Sequence, residues 1–342
     1  GNIYEEFNKD NNEITNIVVA TSGDTGAAAI SALSDRKNIN LFILHPYNKI
    51  SKIQRKIMTT IGGKNIYNIA INGSFDDCQK IVKQMFADNL FRQTINTSGV
   101  NSINWARIIF QIVYYFYSFL RMKHKKINFS VPTGNFGDIY AGYMAKKMGL
   151  PIEKLIVATN ENDILQRVIN KGIYKPTKVK TSLSPSMDIQ ISSNFERLLF
   201  YVLKSNDSEV KKLMHNLEIK GYFKLTKNQK KIIQKDFAAF KVTNKETKQT
   251  IKKIYKKNNF FVDPHTATGF HAANKIKTKY PCIILGTAHP YKFLETMIKA
   301  TGKKIKKPSQ LSKLMARKEK YNVLSNNTNI IKKYILEKHY EN

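Results

Sequence analysis

Apolar and polar positions follow two alternating patterns along the first two hundred residues. Short runs of β-branched and aliphatic residues, such as residues 14–20 and 40–44, have the length and composition of buried strands. Between these runs, apolar residues recur three and four positions apart, as they do in amphipathic helices. This regular exchange is typical of βαβ units, so the sequence predicts an α/β fold with doubly wound, mostly parallel sheets.

The same pattern predicts individual elements. A helix is expected after Ser74, because Ser-Phe-Asp-Asp offers an N-cap and an acidic residue three positions on. Residues 204–257 are rich in lysine and poor in strand patterns, which indicates a helical excursion from the sheet. The predicted strands are residues 14–20, 40–44, 65–71, 127–131, 155–159 and 282–285.

The longest apolar run, residues 105–120, ends close to a predicted domain boundary. It contains Arg107 and Gln111 and ends before twenty residues, so it predicts a core helix rather than a membrane span. A basic turn follows this run and marks the boundary. We therefore expect a smaller α/β domain over residues 1–125 and a larger one over residues 126–342.

Composition narrows the possible partners and the compartment. The 342 residues are 42% hydrophobic, which is ample for two domain cores. A net charge of +32 would ordinarily suggest nucleic acid, but the lysines are spread over nearly every segment and form no basic motif. We therefore expect no nucleic-acid and no membrane partner. Cys78 and Cys282 have no C-x-x-C spacing, the histidines form no metal pattern, and this usage is typical of the cytoplasm.

Two strand-to-helix junctions carry small polar residues that suit an anion. ATSGDTGAAA, from Ala20, follows a buried strand and opens an alanine-rich helix. In VPTGNFGDIYAG, Gly134 and Gly137 bracket a similar junction. The first-turn amides of a helix are unpaired and the helix dipole is positive there, so both junctions predict anion sites. For the second junction alone, an ordinary tight turn explains the two glycines equally well.

Two further clusters extend this chemistry. NSINWAR places Asn101, Ser102, Asn104 and Arg107 at or near a helix start, where two amides, a hydroxyl and a guanidinium can converge on a phosphate. Helix capping with a surface arginine is the alternative explanation. In LGTAHPYKF a buried strand ends just before Thr287, and strand ends of this kind face the ligand crevice in open α/β sheets.

These motifs resemble those of one enzyme family. Six of them occur in the family's order: ATSGDTGAA, NSINWAR, VPTGNFGDIYAGYMAKKMGLPI, SPSMDIQISSNFERLLF, DPHTATG and GTAHPYKF. From about residue 15 to about residue 295 the chain thus resembles threonine synthases, which have the tryptophan-synthase β-like fold (PLP fold type II). The resemblance implies the conversion of O-phospho-L-homoserine and water to L-threonine and phosphate, with pyridoxal 5'-phosphate (PLP) as the cofactor. It also implies that the fold is incomplete at the N-terminus.

The resemblance also implies a role for each motif residue. The amides of one loop would hold the cofactor phosphate: Gly134, Asn135, Phe136, Gly137 and Asp138. Thr287 would bind the pyridine nitrogen, and Asp24 would lie near the cofactor's phenolic oxygen. Ser22 and Thr25 would receive the substrate carboxylate. The groups implied around the substrate phosphate are Thr21, Asn101, Ser102, Arg107 and Asn135.

The family's cofactor-binding lysine is expected outside this chain. It belongs to a PTLAFKDFA-type motif that precedes the SGDTG strand, and the chain begins after that point. Lys235 in QKDFAAF is a similar string, but it lacks the preceding Pro-Thr and lies far downstream. We therefore assign no catalytic residue within the chain and expect the lysine upstream of Gly1.

Two other functions stay open at this point. A serine/threonine dehydratase or a cysteine synthase would have the same fold but no need of Arg107, and a non-catalytic remnant of the fold would lack the lysine altogether. For the oligomeric state, both a monomer and a homodimer are compatible with the sequence.

Overall fold

The computed structural model describes residues 2–7, 14–21, 23–99 and 104–341. The strands are β1 Thr15–Ala20, β2 Ile39–Pro46, β3 Ile66–Ile71, β4 Thr97–Gly99, β5 Ile127–Pro132, β6 Ile152–Thr159, β7 Ile173–Tyr174, β8 Phe223–Lys224, β9 Phe237–Lys241, β10 Cys282–Ile284 and β11 Asn322–Leu324. The first helices are α1 Asn2–Phe7, α2 Asp24–Leu33, α3 Lys52–Thr60, α4 Phe75–Ala87, α5 Asn89–Thr94, α6 Trp105–Arg121, α7 Gly137–Lys147 and α8 Ile164–Lys171.

The remaining helices are α9 Phe195–Val202, α10 Asp207–Lys220, α11 Lys227–Asp236, α12 Asn244–Asn258, α13 Pro264–Lys275, α14 Leu294–Thr301, α15 Ser309–Ala316 and α16 Thr328–Tyr340. Short 3-10 turns span Pro185–Met187 and Pro290–Phe293. The chain divides into two compact units. Unit 1 is Gly1–Asn101 together with Lys307–Asn342, and unit 2 is Ser102–Lys306.

Unit 1 is built on a parallel sheet with strand order β11-β3-β2-β1-β4. Every residue of β2 is buried, as expected for a central strand covered on both faces. On one face, Phe42 and Leu44 pack with Ile331 of α16, and on the other, Leu41 and Ile43 pack with residues of α2 and α3. The alternation along β2 therefore divides its side chains between two cores.

Unit 2 has a second parallel sheet, with strand order β10-β5-β6-β9, and a small antiparallel pair of β7 and β8. Its main core joins residues of β5 and β6 to residues of α7, α8 and α9. Because β5 and β10 are neighbours and parallel, the segments that follow them lie at the same edge of the sheet. This edge carries the residues discussed below.

The structure confirms the α/β class and the six predicted strands, with ends shifted by up to three residues. The capping box at Ser74 is present: its hydroxyl accepts from the amide of Asp77, and the Asp77 carboxylate accepts from the amide of Ser74. Among the described residues, no helix is long and apolar enough to cross a membrane.

The two units differ from the predicted domains, 1–125 and 126–342, at both ends. Helix α6 belongs to unit 2, because Tyr115 packs on Phe129 with ring centroids 4.7 Å apart. A Cβ on Gly142 of α7 would lie 2.4 Å from the same tyrosine, so the two helices are in close contact. Residues 307–342 return to unit 1, because β11 pairs with β3. Such long-range pairing has no local sequence signal.

Two element predictions were wrong in part. Helix α6 is not a core helix over its whole surface: Ile108 and Tyr115 are buried, while Phe110, Tyr117 and Leu120 are exposed by 58%, 58% and 77%. Residues 204–257 are not purely helical either. Strand β9 lies within them and pairs with β6, because Phe237 and Ala239 alternate into the main core of unit 2.

Candidate functional site

The turn between β5 and α7 has an unusual backbone. Phe136 takes a left-handed conformation with φ 67, which a bulky residue rarely adopts. Its ring is buried and packs against Phe195 and Phe237, with centroids 5.4 and 5.5 Å away. These contacts hold the strained residue in place, and strain of this kind concentrates at functional sites.

The amides of this turn are available to an anion. The Asn135 carboxamide oxygen accepts from the amide of Gly137 at 2.9 Å. Within the described part of the chain, no group accepts a hydrogen bond from the amides of Asn135, Phe136 or Asp138. A left-handed residue just before a helix N-terminus, with unpaired amides beside it, forms a concave anion site. The turn thus fits a phosphate group.

The Asp138 carboxyl group is directed to a side-chain partner. Tyr115 Oη lies 3.1 Å from Asp138 Oδ1 and 2.8 Å from its carbonyl oxygen. Burial raises the pKa of this carboxyl to about 6, against a smaller lowering by the Tyr115 hydroxyl. Because the Tyr115 hydroxyl engages the carboxyl, the group that Asp138 offers to an anion at the turn is its backbone amide.

A segment distant in sequence, residues 182–194, supports the turn through hydrogen bonds. Ser192 Oγ donates to the Gly134 carbonyl at 2.8 Å, and the Asn194 amide donates to the Asn135 carbonyl at 3.0 Å. A Cβ on Gly134 would lie only 3.1 Å from Met187 Cα. Since both carbonyls are engaged by this segment, the orientation of the two peptide units is fixed. From the sequence, no role was predicted for residues 182–194.

This bracing segment is itself held by a buried polar network. The Asp188 carboxylate accepts from Ser182 Oγ at 2.5 Å, from Asn160 Nδ2 at 2.7 Å and from Asn162 Nδ2 at 3.0 Å. Burial raises the pKa of the Asp188 carboxyl, and the hydrogen bonds oppose that rise. Asn160 directly follows β6, so the network attaches the segment to the central sheet.

Thr287 lies beside this turn in the sheet. It follows β10, and β10 pairs with β5 in parallel, with Ile284 opposite Ser130. The Thr287 amide donates to Thr266 Oγ1 at 3.1 Å, while the residue is exposed. The predicted phosphate loop and the predicted pyridine contact therefore lie at the carboxyl edge of the same sheet, where open α/β folds bind ligands.

The corresponding turn of unit 1 follows β1. Thr21 Oγ1 accepts from the amides of Gly23 and Gly26 at 3.0 and 2.9 Å, and Thr21 is 2% exposed. Gln54 Nε2 of α3 donates to Asp24 Oδ1 at 3.1 Å. Thr25 lies half-buried in the first turn of α2. Thr21 thus already bonds two amides, so its predicted contact with a substrate phosphate would use the hydroxyl proton alone.

The NSINWAR cluster is described only in part. Ser22, Asn101 and Ser102 lie outside the described residues. Asn104 caps α6, accepting from the amide of Ala106 at 3.0 Å. Arg107 follows in the first turn of α6, and its buried Nη1 has no hydrogen-bond partner among the described residues. Burial lowers the pKa of this guanidinium. A buried guanidinium nitrogen without an acceptor is costly, which favours an anionic ligand over a purely structural role.

Lys235 lies at the other edge of the unit 2 sheet. It is exposed, near the end of α11, and it precedes β9. Strands β9, β6 and β5 are parallel, so Lys235 is at the amino edge while the 134–138 turn is at the carboxyl edge. Five strand residues separate the two edges by about 16 Å. A cavity of about 910 Å³ lined by Lys146, Lys231 and Lys235 also lies at this amino edge.

Comparison with known proteins identifies the family of the chain. A family model described as "Pyridoxal-phosphate dependent enzyme" matches residues 2–285. A second, described as "Threonine synthase, C-terminal", matches residues 266–335. The fold and the family match define a PLP-dependent enzyme. The predicted cofactor, PLP, and the predicted fold type II are thereby confirmed. More narrowly, the chain belongs to the threonine synthase family.

The relatives are similar over nearly the whole chain. A threonine synthase of Pseudomonas aeruginosa is 47% identical over 315 residues, covering 91% of this chain and 67% of the relative. The crystal structure of PLP-bound threonine synthase from Brucella melitensis has 45% identity and a TM-score of 0.93, covering 98% of this chain and 73% of that one. The crystal structure of threonine synthase from yeast has 41% identity and a TM-score of 0.91, covering 99% of this chain and 74% of that one.

More distant structures share the fold alone. A serine racemase from Dictyostelium discoideum has 14% identity and a TM-score of 0.51, and a cystathionine beta-synthase from Helicobacter pylori has 15% and 0.56. The match to threonine synthases is much closer than the match to these relatives of the same fold. The alternative of a dehydratase or a cysteine synthase is therefore not favoured.

Proposed function

We propose that the complete protein converts O-phospho-L-homoserine and water to L-threonine and phosphate, and so acts as a PLP-dependent carbon–oxygen lyase. The observation that carries this proposal is Arg107, in the NSINWAR motif, with its buried and unpaired Nη1. Fold relatives whose substrates have no phosphate would have no need of a half-buried guanidinium with an unpaired nitrogen at this place. The family membership of the chain supports the same substrate.

The cofactor phosphate would bind the unpaired amides of Asn135, Phe136 and Asp138, and Thr287 Oγ1 would bind the pyridine nitrogen. PLP supplies an electron sink for negative charge at the substrate Cα. A hydroxyl partner leaves the ring nitrogen uncharged, unlike a carboxylate partner. Residues 182–194 keep the turn rigid, so little reorganisation is needed when a dianion binds.

The substrate would be held by its two anionic groups. Thr25 and Ser22 would take the α-carboxylate, with Asp24 near the phenolic oxygen of the cofactor. Arg107 would bind the phosphate with Thr21, Asn101, Ser102 and Asn135. Because this phosphate leaves as a dianion, charge at its oxygens grows during the reaction. A guanidinium binds that developing charge more strongly than it binds the ester, and this difference accelerates the step.

We propose, from the family resemblance, that the cofactor-binding lysine precedes Gly1 in the complete protein. The position of Lys235 at the amino edge of the sheet supports this assignment, because a residue about 16 Å from the other edge cannot reach the same cofactor. The lysine would move the Cα proton and then a Cβ proton, and it would later return a proton to Cα.

The test is an assay of the complete protein, including the segment that precedes Gly1, for phosphate and threonine formed from O-phospho-L-homoserine. We expect equal amounts of the two products and no 2-oxo acid. Conversion of serine or threonine to a 2-oxo acid in place of this reaction would support a dehydratase. The absence of any turnover, despite stoichiometric PLP, would support a non-catalytic remnant.

A further inference from the structure

We propose that Asp263 and His265, in the DPHTATG motif, are positioning residues that link the two cofactor contacts and set the spacing between them. This inference deepens the proposed function, because it concerns the same PLP site. All of the residues involved belong to unit 2. The hydrogen bonds around the N-terminus of α13 carry it.

Asp263 does more than cap α13. Its Oδ1 accepts from the amides of His265 and Thr266 at 2.9 and 3.3 Å, as an N-cap should. The same oxygen is also 3.1 Å from His265 Nδ1. Both side chains are almost fully buried: that of Asp263 is 1% exposed and that of His265 is 4% exposed. The carboxylate therefore fixes the imidazole as well as the start of the helix.

The imidazole connects Asp263 to the segment that supports the turn at residues 134–138. His265 Nε2 accepts from the Ser186 amide at 3.2 Å, so Nε2 carries no proton and Nδ1 donates to Asp263. Ser186 lies in the 3-10 turn Pro185–Met187. The next residue, Met187, is the one whose Cα would lie 3.1 Å from a Cβ on Gly134. The position of His265 thus determines how closely residues 182–194 approach the turn.

The neighbouring residue of α13 reaches the other contact. Thr266 Oγ1 accepts from the Thr287 amide at 3.1 Å, and Thr266 is buried. Its own amide donates to Asp263 Oδ1. One carboxylate is therefore joined through Thr266 to the predicted pyridine contact, and through His265 to the predicted phosphate contact.

Helix α13 also packs directly on the strands that lead to these two contacts. A Cβ on Gly269 would lie 2.9 Å from Ile284 of β10 and 3.4 Å from Pro132 of β5. Ser130 Oγ of β5 donates to the Gly269 carbonyl at 2.7 Å. The glycine allows this close approach, and a displacement of α13 would therefore act on both strand ends.

Amide hydrogen exchange on the full chain, without cofactor, tests the linkage first. His265→Asn keeps a donor near the Nδ1 position but removes the acceptor for Ser186, and we expect about three- to tenfold faster exchange in residues 184–194 and at the bonded amide of Gly137. Thr266→Val should give a similar acceleration at Thr287 only. Asp263→Asn should accelerate both regions.

Matched variants separate this effect from general destabilisation. His265→Gln retains an acceptor near the Nε2 position, and Thr266→Ser retains the hydroxyl, so each should restore most of the protection. Thr268→Val is the control, because Thr268 is buried on the same helix and its Oγ1 donates to the His265 carbonyl at 2.7 Å. Thr268→Val should not change the exchange rate of residues 184–194 or of Thr287 selectively. The proposal would be overturned if Thr268→Val accelerated exchange in these regions equally. It would also be overturned if His265→Gln accelerated exchange as much as His265→Asn, and Thr266→Ser as much as Thr266→Val.

Ligand binding then separates the two cofactor contacts. Pyridoxine 5'-phosphate and pyridoxine are suitable probes, because neither has an aldehyde that would react with surface lysines. His265→Asn should weaken pyridoxine 5'-phosphate about three- to tenfold more than pyridoxine, whereas Thr266→Val should weaken both probes alike. Unchanged ratios in both variants would overturn the inference alone. If the parent chain fails to bind pyridoxine 5'-phosphate, the proposed cofactor site is wrong, and the exchange experiment still decides whether the linkage exists.

Discussion

The turn that follows β1 and the turn that follows β5 both join a buried strand to a helix through small polar residues. They differ in how they are supported. Thr21 braces the first turn locally by accepting from the amides of Gly23 and Gly26. The second turn is braced by residues 182–194, which engage its carbonyls and leave amides unpaired in the described structure.

The shared sequence pattern specifies the position of each turn but not which of its backbone groups stay free. The pattern predicts a turn at a helix N-terminus, and it does so correctly in both units. Whether the turn presents free donors depends on which groups the rest of the fold uses. In the first turn a threonine next to the strand uses two amides, whereas in the second a segment about sixty residues further along uses the carbonyls instead.

The largest expected contrast concerns pH, since a buried ionisable group lies near each turn. Burial lowers the pKa of His45, at the end of β2, from 6.5 to about 4. The unfolded chain then binds the proton more readily, so unit 1 loses stability as pH falls from 6.5 toward 4, by about 3 kcal/mol in full. His45→Leu should remove this acid sensitivity.

Asp138 should act in the opposite direction in unit 2. Burial raises the pKa of its carboxyl from 3.8 to about 6, so the folded state holds a proton that the unfolded state releases. Unit 2 therefore loses stability as pH rises from 3.8 through 6, by about 3 kcal/mol. Asp138→Asn should flatten this slope. Hydrogen exchange in β2 and β5 peptides between pH 4 and 7 measures both effects, and identical slopes in the parent and both variants would contradict them.

The next prediction concerns Arg107 in the complete protein. Its Nη1, unlike the free backbone amides of the second turn, is an unpaired donor that belongs to a charged group. Arg107→Ala should lower kcat/KM by about ten- to 150-fold, because a charge-assisted bond to phosphate is worth about 1.5–3 kcal/mol. PLP affinity should hardly change. Arg107→Lys should restore only part of the activity, since a point charge cannot reproduce the fork of a guanidinium.

Arg121 provides the control for this experiment. It lies at the other end of α6, and its Nη2 donates to Tyr117 Oη at 2.7 Å on the exposed side. Arg121→Ala should leave phosphate release unchanged. Full activity in Arg107→Ala, or an equal loss of cofactor and activity, would show that Arg107 is not a substrate-binding residue.

Thr21 tests the local support of the first turn. Thr21→Val removes the oxygen that accepts two buried amides, so unit 1 should lose about 1–2 kcal/mol of stability. Thr21→Ser retains the oxygen and should cost much less. Thermal unfolding of the three proteins provides the measurement. A valine variant as stable as the parent would mean that water replaces the hydroxyl, and that this turn has more free donors than the structure indicates.

The sequence predicted the sheets well, because buried parallel strands such as β2 are continuous apolar runs of a kind that only a covered sheet explains. The predicted strands do not include the short strands β4, β7, β8, β9 and β11. Strand β9 was missed because Phe237-Ala-Ala-Phe is short and its neighbours are lysine-rich helices. The sequence identified the amide-bearing turn from Gly134 and Gly137, yet it assigned no role to Ser192 or Asn194. Their contacts with the turn are long-range, and no local pattern encodes them.

The smallest predicted effect concerns Gly134, where the remote support of the second turn comes closest. A Cβ there would lie 3.1 Å from Met187 Cα, a backbone atom that can move only with residues 182–194. Gly134→Ala should therefore displace this segment by a few tenths of an ångström and weaken pyridoxine 5'-phosphate by about three- to tenfold, corresponding to about 1 kcal/mol. Thermal stability should change little, because the alanine also restricts the unfolded chain.

Gly62→Ala is the matched control, since nothing lies within 4 Å of its added Cβ and Gly62 belongs to unit 1. It should leave the affinity for pyridoxine 5'-phosphate unchanged. Combining Gly134→Ala with Ser192→Ala sharpens the test, because the Ser192 hydroxyl donates to the Gly134 carbonyl. If residues 182–194 set the position of the turn, the two losses should not add, since both act through the same contact. Strictly additive losses would mean that the segment only covers the turn, and that the turn holds its shape by its own backbone.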